Sequence, residues 1–143
     1  VKKDMAHPFK MQEATAIALH SMVKIAQAHP EPQQVSVLAS QIGVSRNHLA
    51  KVLQRLHKAG LVKSKRGPKG GITLAKEPQR INLLEIYEAI EGKFSPNACL
   101  LNKKDCPFKK CIMGNLVGEI GRMFGEFFAS YSLANFKFKN NGR

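Results

Sequence analysis

Three cysteines stand close together in CLLNKKDCPFKKC, at Cys99, Cys106 and Cys111, with the spacing C-x6-C-x4-C. Thiolates are soft ligands that suit zinc and iron–sulfur clusters. Lys103, Lys104, Lys109 and Lys110 flank them and would offset the negative charge of a thiolate-bound cluster. Three cysteines leave one position for a non-cysteine group or an exogenous ligand, which is the composition of a labile cluster that small molecules can attack. Structural zinc sites more often show C-x2-C pairs, and none occurs here. On the residues alone, an iron–sulfur cluster, zinc, a redox thiol switch and inert thiols all stay open.

A second stretch offers a different chemistry. In SRNHLAKVLQRLHKAG, Leu49, Val52, Leu53 and Leu56 fall at i, i+3, i+4 and i+7, so one helix face is apolar. Ser45 is placed to cap its N-terminus and Gly60 to end it in a left-handed turn. The other face carries Arg46, Asn47, Lys51, Gln54, Arg55 and Lys58, all cations or hydrogen-bond donors with no carboxylate among them. Such a face suits phosphates and base edges, although a solvated surface helix has the same composition.

The rest of the chain must position these two stretches. Its 143 residues fit one domain, or one small domain with an appendage, and 43% hydrophobic residues can form a core. With 23 Lys+Arg against 10 Asp+Glu the formal net charge is +13, spread along the whole chain. A polyanionic partner follows, with nucleic acid ahead of a membrane surface. No apolar run approaches the roughly 18 residues of a spanning helix, and residues 1–10 lack the apolar core of a signal peptide. A cytoplasmic protein with reduced thiols is expected, and an odd cysteine count argues against a purely disulfide framework.

In chain order, residues 1–9 read as a loose basic arm. Met11, Ala14, Ala18, Met22 and Ile25 predict an amphipathic helix over 10–28, ended by HPEP at 29–32. A short helix capped by Ser36 follows, carrying Leu38, Ala39 and Ile42, and the glycine turn 43–45 leads into the cationic helix. Short helix, tight turn and longer cationic helix form a helix-turn-helix signature. Two short strands, 62–65 and 72–74, flank RGPKGG and predict a β-hairpin. A hairpin directly after a recognition helix is a wing, and its tip carries Lys65, Arg66 and Lys69. Arg66 could enter a narrow minor groove or straddle the phosphate backbone. The fold class is therefore mainly α with a small β-hairpin wing, a winged helix-turn-helix domain plus a long helix.

Beyond the wing, Asn82 with Glu85 forms a variant capping box and Ile81 with Ile86 has staple spacing, predicting a helix over 83–91 that stops at Gly92. Residues 93–110 form a polar loop. From 112 to about 133, Met113, Leu116, Ile120, Met123 and Phe127, continuing through Ser130/Tyr131, alternate by threes and fours like a coiled-coil seam. Gly114, Gly118, Gly121 and Gly125 make a second stripe, where each glycine costs a helix interior roughly 1 kcal/mol relative to alanine. Another backbone is expected to approach that stripe. Both stripes need a partner, so this helix is expected to cross its symmetry mate in a homodimer, the alternative being its own first helix. Residues 136–143 read as a fraying tail. The expected organisation is a DNA-binding domain over 1–80 and a cysteine loop with dimerisation helix over 81–143.

These residues carry a family resemblance. SRNHLAKVLQRLHKAGLVKSKRGPKGGITLAKE, INLLEIYEAIEG and three cysteines before a long helix resemble the IscR/NsrR type (Rrf family) of winged-helix bacterial regulator, and IALHSM is similar to its first-helix motif. The resemblance runs from about Ile17 into the last helix. It implies a homodimeric transcription regulator, perhaps most simply a repressor, that binds operator DNA. It further implies a [2Fe-2S] or [4Fe-4S] cluster on Cys99, Cys106 and Cys111 as a sensor of redox, nitric oxide or iron–sulfur status. Two departures are visible. The cysteine spacing is six and four where the better-known pattern is five and five. The histidine that IscR-like members place three residues after the last cysteine is Gly114 here, and the aspartate of NsrR-like members falls near Ala16. The fourth ligand is therefore open, with His20 a candidate.

The mechanism that follows places Ser45, Arg46, Asn47 and Lys51 of each subunit in the major groove. Arg66 and Lys69 hold the flanking backbone or minor groove, so that a twofold dimer reads a pseudo-palindrome. The competing reading keeps this fold without a cluster, using zinc or a thiol switch. Catalysis finds no support: neither H-x-E with P-C-x-x-C nor a G-x-x-x-x-G-K-[ST] phosphate loop occurs, and no histidine pairs with a cysteine at sequence level.

Overall fold

The computed structural model describes residues 9–96, 99–101 and 106–137. Helix α1 (Glu13–Ala28) buries Ile17, Ala18, Met22 and Ile25 on one face, as its spacing predicts. It begins three residues later than expected, where the Gln12 carbonyl accepts the N–H groups of Thr15 and Ala16. Helix α2 (Val35–Ile42) begins one residue before Ser36, which lies in its first turn. Gln34 is the N-cap, and no side chain caps this end.

Helix α3 (Arg46–Lys58) matches the sequence closely. The Ser45 hydroxyl accepts the His48 N–H at 3.1 Å, and Leu49, Val52, Leu53 and Leu56 are buried. At the far end the Gly60 N–H donates to the His57 carbonyl and the Leu61 N–H to the Leu56 carbonyl. That pair of bonds needs a left-handed residue between them, and Gly60 supplies it at φ +76°. Buried Leu61 and Leu56 add the apolar contact that accompanies this turn.

Strands β1 (Val62–Lys65) and β2 (Gly71–Leu74) pair antiparallel, with Val62 opposite Leu74 and Lys65 opposite Gly71. The hairpin is also tied at its base to the loop before α2. Gln33 and Ile72 exchange backbone hydrogen bonds of 2.8 Å in both directions. Gly71 sits against that loop so tightly that a Cβ there would lie 2.5 Å from the Gln33 carbonyl oxygen.

After a 3-10 turn at Pro78–Arg80, helix α4 (Leu83–Glu91) starts on Asn82, whose side chain accepts the Glu85 N–H at 2.8 Å. Ile81 and Ile86 are both fully buried, the two ends of the predicted staple. Helix α5 (Leu116–Ser130) returns toward the start of α4. The Leu83 N–H donates to the Tyr131 carbonyl and the Leu133 N–H to the Ile81 carbonyl. The short 3-10 turn Leu133–Phe136 then packs on α1, where Gln27 Nε2 donates to the Phe136 carbonyl at 3.0 Å. Phe136 is thus held, and the rest of the expected tail, 138–143, lies outside the described residues, as do 1–8 of the expected arm.

One apolar cluster joins Met22 and Ile25 of α1, Leu38 of α2, Leu49 and Leu56 of α3, Leu74 of the wing, Ile86 and Ile90 of α4, Phe128 of α5, and Leu133. Each large aliphatic side chain buried there stabilises the fold by roughly 1.5–3 kcal/mol. This is a winged helix: five helices and a two-stranded antiparallel hairpin.

Candidate nucleic-acid interface and cysteine pocket

The apolar side of α3 is used up by the core, so its opposite side meets solvent. Arg46, Asn47, Lys51, Gln54 and Lys58 are exposed there, and so are Lys63, Lys65, Arg66 and Lys69 on the hairpin and its turn. Ser45 is exposed as well, but its hydroxyl is engaged as the helix cap. No acidic side chain occurs between residues 45 and 76, so nothing on this surface neutralises it from within. The helix and the wing tip are held in fixed relation by the Gln33–Ile72 pair. One cation of the predicted face is directed elsewhere: the Arg55 guanidinium donates to the Ile90 carbonyl at the end of α4. Sequence periodicity counted Arg55 with the cationic face, and no local signal reveals a partner 35 residues away.

The three cysteines are exposed and line one pocket of about 720 Å³, together with Leu101, Phe108, Ile112, Gly114, Glu119 and Arg122 among others. The Gly114 N–H closes a turn on the Cys111 carbonyl at 3.0 Å, with Gly114 at φ +56°. That turn delays α5, which starts at Leu116 rather than at 112 as the apolar spacing predicts. Among the described residues, no group of three or more His, Cys, Asp or Glu is gathered at metal-binding distance. The donor chemistry of the pocket, three accessible thiols on one concave wall, fits a thiolate-ligated group; the thiols share the wall without converging. Lys109 and Lys110 are exposed beside them, while Lys103 and Lys104 lie outside the described residues. His20 is exposed on α1, with Nδ1 2.6 Å from the Ala16 carbonyl oxygen. A carbonyl only accepts, so Nδ1 carries the proton and Nε2 keeps the lone pair that a metal ligand needs.

Helix α5 presents two unlike sides. Ile112 just before it, then Leu116, Ile120, Met123, Phe127 and Tyr131, form an exposed apolar row, with Met123 66% accessible. Of the α5 residues only Phe128 is buried. The glycine side corrects the sequence reading. A backbone does approach it closely, but it belongs to the same chain: a Cβ at Gly121 would lie 2.1 Å from the Pro96 carbonyl oxygen, and one at Gly125 would lie 2.8 Å from the Phe94 ring. Sequence reading also missed an aromatic cluster that fastens α5 to α4. Phe124 stacks on Phe128 at 4.1 Å between centroids and meets Tyr87 edge-on at 5.0 Å and Phe94 at 5.3 Å. Burial, and after it the charge of Glu91, raise the Tyr87 phenol above its ordinary pKa.

Comparison with known proteins bears on both surfaces. The profile of the Rrf2 family, described as an iron-dependent transcriptional regulator, matches residues 11–137. BadM of Rhodopseudomonas palustris is 41% identical over 86 residues, 59% of this chain and 54% of BadM, so the chain spans about half of that relative's length. Among solved structures, CymR (YrzC), the global cysteine regulator of B. subtilis, superposes with a TM-score of 0.76 at 28% identity, over 90% of this chain and 96% of CymR. IscR of T. potens superposes with a TM-score of 0.73 at 26% identity, over 90% of this chain and 85% of IscR.

Proposed function

The chain belongs to the Rrf2 family of transcription regulators, and from that premise we propose that it is a homodimer whose grip on operator DNA is set by the state of Cys99, Cys106 and Cys111. It is a regulator and not an enzyme. Among the described residues no helix is long and apolar enough to cross a membrane.

One observation supports the DNA reading above the others. The exposed side of α3 and the tip of the adjoining wing form one cationic surface with no acidic residue between 45 and 76. Asn47 and Lys51 are suited to base edges, and Arg46 and the Ser45 region to the first phosphates. Arg66 and Lys69 would hold the flanking backbone or minor groove. In this reading residues 1–80 bind DNA and 81–143 carry the cysteine loop and the dimer helix. The exposed row from Leu116 to Tyr131 supports self-association, since a helix with so little of its apolar side covered gains by meeting its own copy.

The cysteine pocket supplies the control. Cys99, Cys106 and Cys111 would hold an iron–sulfur cluster, with His20 or an exogenous ligand as the fourth donor. Such a cluster, when bound, supplies a centre that reacts with oxidants and nitric oxide. The chain's own part is mechanical. The segment that carries the thiols connects α4, packed on the DNA-binding core, to α5. Reordering that segment changes the angle between the two recognition helices of a dimer, a population shift that DNA and the pocket both bias.

A second reading keeps the fold and the dimer but replaces the cluster with zinc or a thiol switch. Two observations favour it: the thiols do not converge, and a similar structure is that of a regulator named for cysteine. Anaerobic purification with iron and sulfide analysis, and visible spectra before and after nitric oxide, separate the two. Iron and sulfide with visible absorbance support the cluster; colourless, iron-free protein whose DNA affinity changes on oxidation supports the thiol switch. A mobility-shift assay on genomic fragments tests the DNA reading itself, and absence of any shift refutes it.

A further inference from the structure

We propose that Arg55 is a positioning residue that ties the recognition helix to the point where the cysteine segment leaves α4, so that a change of state in that segment shifts α3. The proposal rests on the reading that the cysteines govern DNA affinity. It starts from one carbonyl. Ile90 lies in the last turn of α4, where carbonyl groups have run out of helical N–H partners. The N–H that would continue the ladder belongs to Phe94, four residues on. At Gly92 the backbone leaves the helical path with φ +89° and ψ 179°. The Phe94 N–H donates instead to Glu88 Oε2 at 2.9 Å. The Arg55 guanidinium donates to the Ile90 carbonyl thus left over, and its charge faces the negative end of the helix.

The residue next to Ile90 is held from another side. Glu91 Oε2 accepts a hydrogen bond from Thr15 Oγ1 at 2.9 Å, and Thr15 is fully buried in α1. The exit of α4 is therefore fixed by α1, by its own Glu88 and by α3. Of these three holds, only Arg55 reaches the recognition helix through a polar contact.

The cysteine segment begins directly beyond this joint. Phe94 and Pro96 rest against Gly125 and Gly121, and Cys99 follows in the pocket wall. If a change in the pocket draws 92–94 back toward the helical path, the Phe94 N–H competes for the Ile90 carbonyl and the guanidinium is displaced. The exit of α4 thus has two discrete arrangements, which is what a coupling element requires. A helix moves as a rod, so a shift at Arg55 is carried to Arg46, Asn47 and Lys51.

The test compares wild type with Arg55→Met and Arg55→Lys. The probe is a pseudo-palindromic duplex selected from random DNA by the wild-type protein. Affinity is measured at fixed salt for two preparations: protein reconstituted anaerobically with ferrous iron and sulfide, and protein alkylated with iodoacetamide. All three cysteines of the chain lie in the one segment, so alkylation strikes no thiol elsewhere. The two wild-type affinities are expected to differ by about tenfold or more, within the usual range of coupling between sites, and those of Arg55→Met by less than about twofold. Arg55→Lys should recover part of the ratio.

If Arg55 instead touches a phosphate, Arg55→Met lowers both affinities alike, keeps the ratio and reduces the salt slope by about one. That result overturns the proposal and leaves cysteine control standing. A wild-type ratio near one overturns both. Should Arg55→Met not fold, hydrogen exchange on wild type decides: alkylation is expected to change the protection of amides in 46–58 together with those in 92–94. Unchanged protection in 46–58 overturns the proposal.

Discussion

Gly121 of α5 faces the Pro96 carbonyl so closely that a methyl group there would lie 2.1 Å from its oxygen. The neighbour is backbone, which cannot rotate aside. Gly121→Ala is therefore expected to push the segment 94–96 off α5 and destabilise the protein by about 1–3 kcal/mol, as overpacking does. The gain in helix propensity, about 1 kcal/mol, offsets only part of that loss. Denaturant unfolding measures it, and a variant as stable as wild type would show that the segment yields freely.

The apolar row on α5 makes an independent prediction. Ile120 is 50% accessible in the single chain, so a charge placed there should disturb a partner and not the fold. Ile120→Glu is expected to sediment as a monomer at micromolar concentration with an unchanged circular dichroism spectrum. Wild type is expected to sediment as a dimer; a wild-type monomer would refute the assignment of α5 as the interface.

On the wing, Arg66 is exposed at the tip, and nothing in the fold depends on it. Arg66→Ala should leave thermal stability unchanged and weaken operator binding. If the dimer neutralises about eight phosphates, log K falls with log[salt] at a slope of roughly −7, and losing one contact per subunit makes it shallower by about two. Equal affinity at moderate salt would remove the wing from the interface.

Tyr87 predicts a pH dependence. Burial, and then the charge of Glu91, raise its phenol above the ordinary value of 10.0. The folded state therefore favours the neutral phenol. Its contribution is complete below about pH 10 and is lost as pH rises through the folded-state pKa. Wild type should lose stability more steeply than Tyr87→Phe above about pH 10, and the two should run parallel below it. Parallel curves over the whole range would contradict the stated cause.

The elements legible in the sequence are those set by neighbours in the chain. Ser45 and Asn82 cap the helices they were expected to cap, Gly60 closes α3, and the strands flank RGPKGG within one residue of their predicted ends. The cysteines were expected near one another, and they share a pocket wall. What escaped is long-range. Apolar periodicity continues smoothly through Ile112 and Met113, so it could not reveal that Gly114 turns the chain at φ +56° before α5 begins. The glycine spacing pointed to a close backbone without saying that Phe94–Pro96 would supply it. Phe94, Tyr87 and Phe124 come from three separate stretches, and their cluster has no signature in any one of them. Arg55 shows a charge in the sequence, whereas its acceptor is a main-chain oxygen.

The tie between Gln33 and Ile72 has a consequence for how a duplex would be chosen. A hairpin fastened only at its own ends could swing to meet wide or narrow grooves alike. Anchored at its root, this one works as a calliper with a set gap, so misfit must be absorbed by the nucleic acid. Sequences that bend or narrow easily would then be preferred even at base pairs no side chain reaches.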